Sequence, residues 1–281
     1  MQNYTIERMT KDEVNLVISW AANEGWNPGL KDALCFYAAD PQGFFAGKLD
    51  GKIIATGSAI IYDQAFAFLG FYIVDKAYRD KGYGLTLTKH RLAYIGERNA
   101  GIDGVTSMVN KYTRLGYKIA HYNIRYCCQS LNTPSTINPA LIPLSQTNFD
   151  LLLDYDRQHF PANRARFLRC WINQPDSLAL AYINDGHIRG YGVIRACQQG
   201  FKIGPLFANN QLIAETLFLA LAHYAKGKMF FIDIPENNKN ALDLVNHYQL
   251  TKVFETARMY LKEQPKLAID QIYGITTFEL G

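Results

Sequence analysis

YRDKGYG, residues 78–84, joins the apolar stretch FAFLGFYIV (66–74) to GLTLTKHRLAYIGERN (84–99). The first flank reads as a strand and the second as a helix, with Leu85, Thr88, Leu92 and Ile95 as its expected buried stripe. A plain strand-to-helix connection needs at most one glycine and an N-cap. Two glycines one residue apart, between Arg79, Lys81 and a helix start, mark a place where a ligand must come close to the backbone. The first N–H groups of a helix have no intrahelical partner, and the helix dipole adds partial positive charge there, so the expected ligand is a phosphate. Gly82 and Gly84 remove the Cβ atoms that would hold it away, while Arg79 and Lys81 add charge at the rim. The stretch is neither GxGxxG nor GxxxxGK[ST]; its pattern is Arg-x-x-Gly-x-Gly.

Working outward, the same two periodicities predict a strand near 4–9, helices near 11–24 and 29–39, and strands near 43–49, 52–62 and 65–75. After the helix come a strand at 104–109, a short helix at 110–116 and a strand at 118–126. The segment CQSLNTPSTINPALIP (128–143) is the expected linker, because Ser, Thr, Asn and three prolines sit there between patterned regions. Beyond it the order recurs: strand 141–144, helices 147–159 and 162–172, strands 177–184, 187–198 and 201–208, helix 210–226, strand 229–234, helix 238–248 and strand 252–261. A last strand is expected near 272–279.

Three anchors make this a repeat. Asp50-Gly51 returns as Asp185-Gly186, Leu69-Gly70 as Ile203-Gly204, and KIAHYNIRY (118–126) as KVFETARMY (252–260), at offsets of 134 or 135 residues. The chain therefore reads as two copies of one α/β (α+β) unit. Residues 1–130 form the first and 140–281 the second. In the second copy the place of YRDKGYG is taken by ANNQLIAE (208–215), without glycine or cation, so only the first copy is expected to cradle a phosphate.

Composition narrows the function. A length of 281 residues with 48% hydrophobic and 19% charged content is globular and fits two domains. The net charge of +4 is spread along the chain, with no run of five like charges, so nucleic acid is not an expected partner. Five scattered cysteines without a CxxC suit a reducing cytoplasm. No stretch of 18 uncharged apolar residues exists and the N-terminus lacks a signal-peptide core, so a soluble, cytoplasmic protein is expected. Six histidines without a pair at helical ligand spacing argue against a metal. No GxSxG elbow supports a serine nucleophile.

With Arg79, Gly82 and Gly84 in place, the chain resembles the GNAT superfamily of acyl-CoA-dependent N-acyltransferases, whose pyrophosphate loop reads Gln/Arg-x-x-Gly-x-Gly/Ala after a strand. Lys76 replaces a customary proline before the loop. NKYTRLGYK (110–118) resembles the family's Tyr-x-x-x-Gly-Phe segment, with Tyr112, Gly116 and Tyr117 in the matching places. EGWNPGLKDALCFYAADPQGF, FKIGPLF, DIPENN, FETARMY and YGITTFELG look like a two-domain bacterial subgroup in which a degenerate GNAT-like domain follows the first. The resemblance implies tandem domains, each a mixed, mostly antiparallel twisted sheet flanked by helices. It also implies acetyl-CoA as co-substrate and transfer of its acetyl group to a primary amine by direct attack.

Implied for the donor are the backbone of Tyr72, Ile73 and Val74, the loop Arg79, Asp80, Lys81, Gly82, Tyr83 and Gly84, and Asn110. Tyr112 is the implied acid for the leaving thiol, since a hydroxyl with an ordinary pKa near 10 stays protonated beside a thiol; otherwise it is a core tyrosine. Glu24, Trp26 and Asn27 lie in a stiff turn where the family builds acceptor specificity. Glu24 would take the amine's proton or pair with a cationic substrate, and Trp26 would wall the pocket; the alternative is a helix end with Trp26 packed inward. Asp233 and Glu236 read as caps of the helix that follows, the alternative being substrate binding. The second domain would wall the acceptor pocket, shield the first sheet or mediate assembly. A non-catalytic acyl-CoA-binding module is the rival reading.

Overall fold

The structure, a computed structural model, describes residues 3–133 and 138–281; residues 134–137 of the expected linker lie outside them. The first half runs β1 (Tyr4–Arg8), α1 (Lys11–Asn23), α2 (Asp32–Ala39), β2 (Phe44–Leu49), β3 (Lys52–Ile61), β4 (Phe66–Val74), α3 (Tyr83–Ile95), β5 (Asn99–Val105), α4 (Val109–Arg114) and β6 (Lys118–Cys128). The second repeats the order: β7 (Leu141–Pro143), α5 (Phe149–Asp156), α6 (Ala165–Trp171), β8 (Ser177–Asn184), β9 (His187–Ala196), β10 (Phe201–Ala208), α7 (Gln211–Tyr224), β11 (Phe230–Pro235), α8 (Lys239–His247) and β12 (Thr251–Tyr260). A short β13 (Ile272–Gly274) follows.

Local chemistry accounts for the element ends. Thr10 and Glu13 form a reciprocal capping box at the start of α1, and Asn148, Asn210 and Asn238 cap α5, α7 and α8 through their side chains. Both repeated Asp-Gly pairs are hairpin turns with two left-handed residues: Asp50 at φ 49 and Gly51 at φ 83, then Asp185 at φ 50 and Gly186 at φ 73.

The thirteen strands of the described residues lie in one sheet, ordered β1-β2-β3-β4-β5-β12-β6-β11-β10-β9-β8-β7, with β13 against β10. Among the described residues only β4–β5 and β10–β11 pair in parallel. The two sheets expected of two separate units are thus merged, because each half sends its last strand into the other: β12 pairs with β5, and β6 pairs with β11. Cross-strand ion pairs fasten both exchanges. Arg258 stands opposite Asp103 and binds it through two hydrogen bonds of 2.8 and 2.6 Å, and Arg125 stands opposite Asp233 with bonds of 2.6 and 2.8 Å. These bidentate contacts fix register as well as charge.

Helices α3, α7 and α8 cover one face. On the other face α1 and α2 meet α5 and α6 in a shared core, where Phe36 packs against both Phe167 (6.4 Å) and Trp171 (6.0 Å), which stack on each other at 4.9 Å.

Two expectations shift. The helix after the glycine turn ends at Ile95, because Gly96 takes φ 59, and the following strand begins at Asn99 instead of 104. The buried stripe of α3 is Gly84, Leu87, Thr88, Arg91 and Ile95, leaving Leu85 half exposed. A buried arginine carries that face, which an apolar pattern does not reveal.

Candidate acyl-transfer site

β4 and β5 pair only over Phe66–Phe68 and Asn99–Gly101, and then part. A register shift in the β3–β4 ladder, with Phe71 at φ 49, bulges β4 just past that fork. Arg91 braces the bulge from α3: its Nε donates to the Ser58 carbonyl at 2.8 Å and its Nη2 to the Gly70 carbonyl at 3.0 Å. Burial lowers its pKa. The stretch Tyr72–Ile73–Val74 keeps β3 on one side and presents its other backbone edge to the slot between β4 and β5.

The glycine turn sits at the mouth of this slot. Asp80 at φ 60 and Gly82 at φ 86 curl the loop, and Gly82 is the N-cap of α3. Such a curl aims backbone N–H groups into one concavity and suits an anion. A Cβ on Gly84 would run into the Tyr72 hydroxyl, so the second glycine is needed for packing. Tyr83 stacks near Tyr4, with centroids 4.7 Å apart. Lys81 donates to the Ala77 carbonyl at 2.9 Å, and Arg79 donates to the Val74 carbonyl at 2.8 Å and to Glu24 at 2.6 Å.

Tyr112 closes the far side of the slot. Its ring lies on Gly104 of β5, where a Cβ would come within 2.6 Å of it, and burial pushes its hydroxyl up to about 12. Asn110 is exposed in the first turn of α4.

The turn of Glu24 to Asn27 is fastened to the second half. Trp26 packs against the shared core and its carbonyl accepts from Arg125 at 2.6 Å. Asn27, at φ 50, exchanges two hydrogen bonds with the Gln199 backbone, and its carbonyl accepts from buried Lys202 at 2.8 Å. Its amide therefore holds the turn in place instead of facing a ligand. Asp32 and Arg195 form a buried pair at 2.8 Å beneath the same loop.

In the second half the equivalent fork is filled. β10 and β11 pair over Phe201–Ile203 and part as β4 and β5 do, but β13 lies against β10 in the gap. The chain then crosses from the second half to the first, passing the repeated glycines: a Cβ on Gly204 would meet the Thr276 carbonyl, and one on Gly70 the Glu279 carbonyl. The start of α7 carries an Asn210 cap and no glycine.

An acetyltransferase (GNAT) family model matches residues 12–117, and an acetyltransferase (GNAT) domain model matches residues 152–274. The chain belongs to the GNAT superfamily. A holothin acyltransferase from Pseudoalteromonas sp. (strain SANK 73390) is 27% identical over the whole chain and 95% of its own length. The uncharacterized N-acetyltransferase YitH of Bacillus subtilis (strain 168) is 21% identical over 98% of this chain and 97% of its own. A crystal structure of a putative acetyltransferase from Pyrococcus horikoshii aligns over 100% of this chain and 97% of its own, with a TM-score of 0.84 and 22% identity. Two GNAT halves with a glycine turn and forked parallel pair in the first are thus one tandem fold.

Other features of this GNAT protein were not visible in the sequence. Asp233 and Glu236 were expected as helix caps, yet Asp233 is the partner of Arg125, Glu236 bonds the Tyr122 backbone, and Asn238 is the cap. Arg91, Arg125 and Arg258 carry no motif, and the pairing of the two strands that hold the last two is a long-range event. Among the described residues no cluster of His, Cys, Asp and Glu could hold a metal, and no helix is long and apolar enough to cross a membrane.

Proposed function

We propose that this protein acylates the primary amine of a small molecule, using acetyl-CoA as donor, in the β4–β5 slot of residues 1–130, with residues 140–281 as a degenerate half that holds the acceptor turn. The observation that carries this reading is the contrast between the two forks: the first is lined by the glycine turn and Tyr112, and the second is plugged by β13. A donor thioester lying along β4 would receive backbone hydrogen bonds at Tyr72–Val74, and its pyrophosphate would meet the N–H groups from Arg79 to Gly84.

Direct attack follows from these positions. The amine nitrogen bonds to the thioester carbonyl carbon, the C–S bond breaks, and the Tyr112 hydroxyl donates its proton to the departing sulfur. The proton lost by the nitrogen goes to solvent or to Glu24, and solvent restores Tyr112. A hydroxyl held near 12 stays protonated through the working range, so it is present as a hydrogen-bond donor to the departing sulfur and gives up its proton only as negative charge builds there. The full-length similarity to a holothin acyltransferase supports a small-molecule amine as acceptor. Testing this requires purified protein, acetyl-CoA and a panel of primary amines that includes holothin, with thiol release as readout. Release that depends on an amine supports the reading, whereas acetyl-CoA binding without release for any amine would favour a binding module.

A further inference from the structure

The exchanged ladder carries polar atoms that the fold does not use. On neighbouring β6 and β12, Asn123 stands opposite Thr256 and His121 opposite Arg258. The three residues His121, Asn123 and Thr256 are 6%, 0% and 2% exposed, and His121 Nδ1, Asn123 Oδ1 and Thr256 Oγ1 have no hydrogen-bond partner among the described residues. Most buried polar atoms in folded proteins are bonded, because an unmade bond opposes folding. Three orphans side by side on one ladder concentrate that deficit in a single patch.

Their neighbours fix what the patch offers. Asn123 Nδ2 donates to Asp103 Oδ1 at 2.8 Å, which turns its carbonyl oxygen away from the Asp103–Arg258 pair. Burial, reinforced by the charge of Arg258, pushes the His121 imidazole down to about 3, so it is neutral and one ring nitrogen is an acceptor. Asn123 favours protonation of that ring, although the two side chains make no hydrogen bond with each other. The patch is rich in acceptors and set among guanidiniums, a match for a neutral N–H donor and a poor one for an ammonium.

Its place is also specific. The Arg258 guanidinium lies 5.1 Å from the ring of Phe68, the last β4 residue before the fork, and Asp103 stands on β5 just beyond it. The patch thus flanks the slot, on the sheet face opposite α3. A cavity of ≈ 20 Å³ opens at His121, lined also by Arg258, Tyr260, His159, Ile275 and Thr276; Asn123 and Thr256 lie next to His121 on the ladder, outside this lining. That space fits about one water. A larger occupant would have to displace segment 272–281, which contributes Ile272, Ile275, Thr276 and Gly281 to the lining.

We propose that His121, Asn123 and Thr256 form the acceptor's polar seat: an uncharged primary amine with further N–H donors enters beneath segment 272–281 and is held there with its nitrogen toward the β4–β5 slot. This rests on the acyl-transfer reading above and adds residues to it.

The test uses full-length Thr256→Val, His121→Phe and His121→Gln with acetyl-CoA and the amine panel headed by holothin. Thr256→Val and His121→Phe should each raise the amine KM about tenfold or more, leave the acetyl-CoA Kd unchanged and keep or raise the thermal midpoint, since each removes an unbonded buried group. His121→Gln, which retains an acceptor, should recover part of the loss. Lower midpoints with an unchanged amine KM would assign the row to the fold and overturn the proposal. If the wild type acylates no amine, the acyl-transfer reading falls separately, and calorimetric titration of the panel replaces kinetics: binding weakened by Thr256→Val sustains the seat, and binding absent or unaffected overturns it.

Discussion

Glu24 Oε1 lies 2.6 Å from Arg79 Nη2, so the residue that ends α1 is paired with the cation of the glycine turn. Both side chains are partly exposed, at 27% and 41%, and such a pair contributes roughly 0.2–1 kcal/mol. A pyrophosphate bound at the turn competes with Glu24 for Arg79. Glu24→Gln should therefore tighten acetyl-CoA binding by up to about fivefold, the equivalent of that pair energy. Arg79→Ala should weaken it. Calorimetric Kd values for the two variants check this; unchanged donor affinity with a large loss of kcat in Glu24→Gln would instead make Glu24 the base.

Arg125–Asp233 and Arg258–Asp103 are each expected to resist one-sided truncation poorly. Arg125→Met leaves a buried carboxylate unpaired and should cost about 3–5 kcal/mol, whereas Arg125→Met with Asp233→Leu should recover most of it. Denaturant unfolding of the single and double variants measures both. Near-neutral single variants would mean that the exchange is not fastened by these pairs.

The same pair predicts an acid response. Burial alone would raise the Asp233 carboxyl, but the charge and hydrogen bonds of Arg125 outweigh it and hold the group below its ordinary value. A depressed carboxyl contributes stability that is complete above its unfolded value, about 3.9, and is lost as pH falls toward the folded value. The stability gap between the wild type and the double variant should thus stay constant near neutrality and change only below about pH 4. A gap that changes between about pH 5 and 7 would point to another group.

Much of this arrangement was legible in the sequence because it is local. The Asp-Gly hairpins and the strand–glycine turn–helix each depend on residues a few positions apart, and the repeat is read by comparing such short local patterns with one another. All three repeat anchors mark equivalent places: two hairpin turns, the two glycines passed by segment 275–281, and the two exchanged strands. Which neighbours those last strands choose was not legible, since KIAHYNIRY fits either half's sheet and its register is decided by Asp233 far along the chain. Buried charges misled for the same reason. Arg91 breaks the apolar stripe of α3, and Asp233 looks like a cap until Arg125 is opposite it.

Tyr112→Phe should lower kcat by about 10²–10⁴ with little change in the KM for acetyl-CoA, because the hydroxyl acts only as charge develops on sulfur. With that hydroxyl at about 12, the loss should be the same across about pH 6–10. Unchanged turnover with a lowered thermal midpoint would make Tyr112 a packing residue.

In the proposed function one fork of this tandem fold takes acyl-CoA, while the other is closed by β13. Calorimetric titration of the wild type with acetyl-CoA, repeated on Gly82→Val, tests it most directly. Gly82 holds φ 86, so valine there adds about 1–3 kcal/mol of backbone strain as well as a side chain at the turn. One site per chain is expected, weakened roughly fivefold to 100-fold in the variant. Two equivalent sites, or one site indifferent to Gly82→Val, would contradict the claim.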